Sequence, residues 1–170
     1  MADAKRKHSL VYYLTAVVWT TALVLLDLKI KDLVVEQLKG RSARSLIPGV
    51  LSLEYVENRG MAFGMLQDGR IFFIVTTVLV LIAMALAYQA IPEKRRFVPL
   101  SAGVILIFSG SVGNLIDRVK NGFVVDYLRL DFIRFPVFNL ADCYLTWTAA
   151  ALALLLVFYY KNEDFREIRL

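Results

Sequence analysis

One cysteine and one histidine are all that this 170-residue chain offers of the two side chains most used for metal binding and nucleophilic catalysis. A lone cysteine, Cys143, forbids an internal disulfide. A lone histidine, His8, has no second ligand beside it and lies in a basic N-terminal tail, where it reads as one more polar anchor. No metal or cofactor is therefore expected, and histidine catalysis on the side of the membrane opposite that tail is excluded. Internal repeats and low-complexity tracts are also missing. Charge is absent from four long stretches, Leu10–Leu26, Ile71–Ile91, Phe97–Ile116 and Cys143–Tyr160, which hold 17, 21, 20 and 18 residues.

What is present is apolar bulk. The chain is 58% hydrophobic with a mean hydropathy of +0.59, too apolar for a soluble domain of this size. A helix crosses the hydrocarbon core with about 20 residues, and lipid forces backbone polar groups to pair within the segment, so each uncharged stretch is expected to be a membrane-spanning helix. Lys5-Arg6-Lys7 ahead of the first stretch imitates a signal peptide, but no small-residue cleavage site follows and Asp27, Lys29 and Lys31 come directly after it, so the helix is read as retained. The expected fold is an all-α membrane protein, a single integral domain over residues 1–170 with spans at about 10–28, 71–91, 97–116 and 141–160.

Charge sets the orientation. Short segments carry Lys5, Arg6 and Lys7, then Lys94, Arg95 and Arg96, then Lys161, Arg166 and Arg169, which puts both termini and the 92–96 loop in the cytoplasm. The net charge of +5 reads as topology and contact with membrane lipid, not nucleic-acid binding. Loops 29–70 and 117–140 then face outward, and every unusual polar cluster falls on that side. Ile30, Leu33, Val34 and Leu38 recur at helical spacing, which predicts a short amphipathic helix lying on the bilayer. Pro48-Gly49 marks a turn; Leu51, Leu53 and Tyr55 alternate with Ser52 and Glu54 as in a strand; Phe123-Val124-Val125 is a second strand that can pair with the first in a small sheet.

Four constellations carry chemistry. Asp27 and Lys31, four apart on a helix, share a face; the plain reading is an ion pair closing the first span at the interface, the alternative a pair supporting a site. Asn58-Arg59-Gly60-Met61-Ala62-Phe63-Gly64 permits close backbone approach, either to a ligand or to the membrane surface. In Gly113-Asn114-Leu115-Ile116-Asp117-Arg118 the polar residues lie one turn apart, and Arg118 is expected to hold its neighbour Asp117 ionised as a scaffold. Asp126 and Asp142 each sit where an apolar run meets water, with Asn139 nearby. Singly, each reads as a cap or a strand-end residue. Together, on one side of a membrane, they are the minimum equipment for hydrolysis by an acid and a base.

The ordered blocks Asp27…Lys31, Asn58-x-Gly60-x-Ala62-Phe63-Gly64, Gly113-Asn114-Leu115-Ile116-Asp117-Arg118, Val124-Val125-Asp126 and Phe138-Asn139-Leu140-Ala141-Asp142 resemble those of bacterial lipoprotein signal peptidase, also called signal peptidase II. The likeness runs from about residue 23 to 145. It implies an aspartic endopeptidase of the bacterial cytoplasmic membrane that removes signal peptides from prolipoproteins, cutting before a diacylglyceryl-modified cysteine. By motif position, Asp126 and Asp142 match the family's catalytic residues, and Asn58, Gly60, Asn114, Arg118 and Asn139 match residues that line or support its site. The resemblance also implies inhibition by globomycin-like cyclic peptides. The expected state is a monomer. Met61 in place of a small alanine, Ser109 and Ser111 in a glycine-rich stretch, and Leu28 after Asp27 depart from the pattern without removing a catalytic group. A small ion-coupled transporter and a non-catalytic membrane scaffold are the competing readings, since intramembrane carboxylates serve those roles too.

Overall fold

The computed structural model describes residues 8–60 and 69–168. Met61, Ala62, Phe63 and Gly64, the second half of the Asn58 motif, lie outside the described residues. In chain order the elements are α1 (Leu10–Leu38), β1 (Arg44–Ile47), β2 (Leu51–Asn58), α2 (Arg70–Ala90), α3 (Val98–Asn121), β3 (Val124–Leu130), α4 (Leu140–Leu154), and α5 (Asn162–Glu167). A 3-10 turn, Arg95–Phe97, leads into α3, and α4 runs on through a π turn, Leu155–Tyr159. Four of these helices are long and apolar enough to cross a membrane.

The first helix differs from expectation. Residues 30–38 are helical, but as the unbroken continuation of the first span and not as a separate helix on the bilayer. Two features explain this. The first glycine is Gly40 and the first proline Pro48, so nothing interrupts the helix earlier. Its buried stripe, Val24, Asp27, Lys31, Val34 and Leu38, also keeps a three-to-four spacing across the supposed boundary. Most of the remaining surface of α1 in the membrane, including Leu14, Val17 and Val18, is exposed, as lipid contact requires.

Helix α3 is the centre of the bundle and packs against α1, α2 and α4. It can do so because one side is built of small residues. A Cβ on Gly110 would lie 2.6 Å from the Ala141 carbonyl oxygen of α4, and one on Gly113 would lie 2.5 Å from Asp27 Oδ2 of α1. Without a hydrophobic driving force between helices in lipid, such close backbone approach is what holds them.

One end of the bundle gathers His8 and Ser9, the α2–α3 turn and α5. Ser9 bonds Glu93, His8 Nε2 bonds the Gln89 carbonyl, and Lys94 and Arg96 pair with Glu167 and Asp164. The other end carries an antiparallel sheet in the order β1-β2-β3. Pro48-Gly49 makes the β1–β2 turn, with Gly49 at φ 72° and a bond from Val50 N–H to the Ile47 carbonyl of 3.0 Å. The expected pairing of the two predicted strands is present, Val56 opposite Asp126 and Asn58 opposite Val124. Strand β1 is an addition to it; its four residues are all exposed and lack an alternating pattern. Val124, Val125, Asp126 and Tyr127 are all buried, so the first half of β3 is covered on both faces.

Candidate active site

The chain returns on itself to bring Asp142 to Asp126. After β3, residue 138 comes back alongside the strand: Leu128 N–H bonds the Phe138 carbonyl at 2.7 Å and Phe138 N–H bonds the Leu128 carbonyl at 3.0 Å. Asn139 then caps α4. Its Oδ1 accepts from the Asp142 backbone N–H at 2.9 Å, and Asp142 Oδ2 accepts from the Asn139 backbone N–H at 3.2 Å, a reciprocal capping box. Asp142 therefore is a cap, as its position suggested, and is also fixed beside the strand. Asp126 sits within β3, 1% exposed, and is not a strand-end residue.

Asn139 joins the two. Its Nδ2 donates to Asp126 Oδ1 at 2.6 Å while its backbone holds Asp142. Asn58 Nδ2, at the end of β2, donates to the other Asp126 oxygen at 2.8 Å, and Asn58 Oδ1 is itself held by the Gly60 N–H at 3.1 Å. Asn114 Nδ2, from α3, donates to Asp142 Oδ1 at 2.9 Å. Each carboxylate thus accepts an amide bond on both oxygens. Burial, and next the negative charge of Asp142, push the Asp126 carboxyl up from 3.8 to about 7, against the two amide donors.

Behind the pair lies a buried charge cluster. Lys31 Nζ is 2.8 Å from Asp27 Oδ2 and 3.1 Å from Asp117 Oδ2. Asp27 Oδ1 accepts from the Ala141 N–H at 3.1 Å, and Asp117 Oδ2 from the Val125 N–H at 3.2 Å. Two corrections follow. The Asp27–Lys31 pair does not close a span at the interface, since its side chains are 0% and 2% exposed and tie α1 to α3 and α4. Arg118 does not pair with Asp117, whose charge faces Lys31. The Arg118 side chain turns the other way, over the Phe73 ring with its guanidinium carbon 5.0 Å from the centroid, and reaches the Asn114 carbonyl at 3.5 Å.

Asp126 and Asp142 open on a groove of about 480 Å³ with Asn58, Gly60 and Arg118 at its polar end. The rest is mostly apolar: Phe73, Leu130, the run from Phe135 to Phe138, and Trp147, which is 74% exposed, with Cys143 and Thr146 between them. Every described residue named as catalytic or supporting from sequence falls in this groove or in the cluster behind it. Sequence reasoning missed the Ala141 N–H on Asp27, the Tyr127 hydroxyl that accepts from the Leu140 N–H at 3.2 Å, and Phe73 beneath Arg118. No local signal marks them, because their partners lie on other elements.

This arrangement has relatives. Residues 19–158 match the family model described as signal peptidase (SPase) II. A lipoprotein signal peptidase of Streptococcus thermophilus (strain CNRZ 1066) is 44% identical over 143 residues, 84% of this chain and 90% of that protein. One from Streptococcus pneumoniae (strain ATCC BAA-255 / R6) is 42% identical over 141 residues, 83% of this chain and 89% of the other. Among solved structures, a bacterial membrane enzyme determined by the in meso method at 1.9 Å aligns with a TM-score of 0.77 and 26% identity, covering 93% of this chain and all of that one. With the family model matched over most of its length and relatives above 40% identity, the chain belongs to the signal peptidase II family and is a multi-pass membrane peptidase of lipoprotein processing.

Proposed function

We propose that this protein is an aspartic endopeptidase that cuts diacylglyceryl-modified prolipoproteins just before the lipid-bearing cysteine, with Asp126 and Asp142 as the catalytic pair. The observation that carries the reading is the shared amide: Asn139 holds both carboxylates at once, at the mouth of an apolar groove. Two carboxylates so close do not both ionise cheaply, so one proton is kept between them. Burial and the Asp142 charge favour its residence on Asp126. Asp142 takes a proton from a water held between the pair, and that water attacks the scissile carbonyl. Asp126 donates its proton to the developing oxyanion and takes it back as the C–N bond breaks, while the proton on Asp142 passes to the departing amine. The pair titrates as a unit, and no metal takes part in these steps.

The groove supports the substrate class. Its charged and amide side chains are confined to the aspartates, Asn58 and Arg118, and its apolar lining, with the exposed Trp147, suits a lipid-tethered peptide. Cyclic peptides of the globomycin type are expected to occupy it. Lys94, Arg95 and Arg96, at the end opposite the groove, support an orientation with both termini cytoplasmic and the groove on the extracytoplasmic face, the arrangement we infer for an enzyme of the bacterial cytoplasmic membrane.

The test is cleavage of a diacylglyceryl-modified prolipoprotein by purified Asp126→Asn and Asp142→Asn proteins. Each should lose on the order of 10³-fold or more of kcat, as removal of one member of a catalytic constellation does. Membrane insertion and thermal unfolding should remain close to wild type. Wild-type turnover by either variant would refute the assignment.

A further inference from the structure

Lys31 makes one bond that its role as counter-ion does not require. Its ammonium already faces Asp27 and Asp117, yet it also donates to Asn114 Oδ1 at 2.9 Å. An ammonium has donors only, so the Asn114 group turned toward it must be the carbonyl. Asn139 Nδ2 reinforces this by donating to the same oxygen at 3.2 Å. With Oδ1 so held, Asn114 Nδ2 is left facing Asp142 Oδ1 at 2.9 Å. A carboxamide without such a lock turns over about its last torsion easily, because that torsion is broad and roughly two-fold. Reversed, Asn114 would set a carbonyl oxygen against the Asp142 carboxylate. Asn139 is locked in the same sense by a different donor, the Asp142 backbone N–H on its Oδ1 at 2.9 Å, which leaves its Nδ2 for Asp126. Each aspartate is therefore served by an amide whose orientation a third group enforces.

The geometry points to Lys31 as a positioning residue for the peptidase reaction, acting through Asn114: its ammonium keeps the Asn114 amide N–H on Asp142 Oδ1 and so holds that carboxylate in the rotamer that faces Asp126. The inference rests on the reading of Asp126 and Asp142 as the catalytic pair. It gives the Asp27–Lys31–Asp117 cluster a second task. Asp27 and Asp117 fix the ammonium in place, with Asp27 further tied to the Ala141 N–H, one residue before Asp142.

A double-mutant cycle on the full-length enzyme tests it, with kcat and KM measured on a diacylglyceryl-modified prolipopeptide for wild type, Lys31→Met, Asn114→Ala and the double variant. Asp142→Asn is assayed first; undiminished cleavage there refutes the catalytic pair itself, a separate failure. If Lys31 acts through Asn114, each single change lowers kcat on the order of 10- to 100-fold with KM little altered, the range typical of groups that orient a reacting residue. The double variant then falls no lower than the worse single one. Losses that multiply, or a Lys31→Met enzyme with wild-type kcat, overturn the inference. Because Lys31→Met strands two buried carboxylates, the same cycle is run in an Asp27→Asn, Asp117→Asn background, with thermal unfolding followed alongside. Equal single and double losses in folded protein of either background support the positioning role. Restored stability with restored kcat in the Lys31→Met triple variant, or failure to fold in both backgrounds, shows a purely structural lysine and overturns it.

Discussion

Raising the pH should switch this enzyme off through Asp126. That carboxyl is pushed up from an ordinary 3.8 to about 7, first by burial and then by the charge of Asp142. An acid–base pair needs one proton between its members, and above this value Asp126 gives its proton up. With a single ionisation near 7, roughly one tenth of the enzyme keeps the proton at pH 8 and roughly one hundredth at pH 9, so kcat/KM, which reports the free enzyme, should fall in the same proportion. Asn58→Ala reads the same group from the other direction. Its Nδ2 donates to Asp126 Oδ2 at 2.8 Å and favours the ionised form. A hydrogen bond to a charged group contributes about 1.5–3 kcal/mol, and about 1.4 kcal/mol corresponds to one pH unit. Losing this bond should therefore carry the descending limb upward by about one to two pH units. The assay is initial-rate cleavage of a diacylglyceryl-modified prolipopeptide in detergent at fixed ionic strength, buffered from about pH 5 to 10 to bracket the ionisation. A flat profile across that range, or a limb that Asn58→Ala moves downward, would refute the reasoning.

Two further outcomes are expected. Gly110→Ala should lower the unfolding temperature of the purified protein, because its Cβ would press on the Ala141 backbone oxygen at 2.6 Å, which no rotamer change relieves; an over-packing cost of about 1–3 kcal/mol is the expected scale, and an unchanged melting curve would contradict the packing of α3 on α4. Cys143, the only thiol, lines the groove beside Asp142. A membrane-impermeant maleimide added outside intact spheroplasts should label it slowly, a globomycin-like peptide should block the reaction, and Cys143→Ser should abolish it; labelling only after lysis would reverse the proposed orientation.

Much of the architecture was legible because it is written in runs. The four uncharged stretches match the four spans, overrunning them only by Ile91 and Tyr160, and the alternation from Leu51 to Tyr55 falls in β2. Physics at the ends of runs was less legible. Nothing in Ile30, Leu33, Val34 and Leu38 distinguishes a helix lying on a bilayer from one that continues out of it; the buried partners on β3 decide, and they are distant in sequence. The site divides the same way. Asp126 and Asp142 stand out as carboxylates beside apolar runs, where a charged group is costly enough to need a reason, whereas the supporting asparagines Asn58, Asn114 and Asn139 are marked by the motif resemblance. The pairing of Asp117 with Lys31 in preference to its neighbour Arg118 was invisible, because successive residues on a helix point apart and the better partner sits on α1.

The unbroken first helix also works as a gauge. Its 29 residues measure about 44 Å at 1.5 Å each, well beyond a hydrocarbon layer of about 30 Å. Asp27, which anchors the start of α4, stands about 26 Å along it from Leu10, so the proposed catalytic pair is held at a set height above the basic end. A lipid-anchored client, by contrast, rides at a height decided by the leaflet. Turnover should then depend on bilayer thickness, peaking where the acyl anchor presents its peptide level with the aspartates.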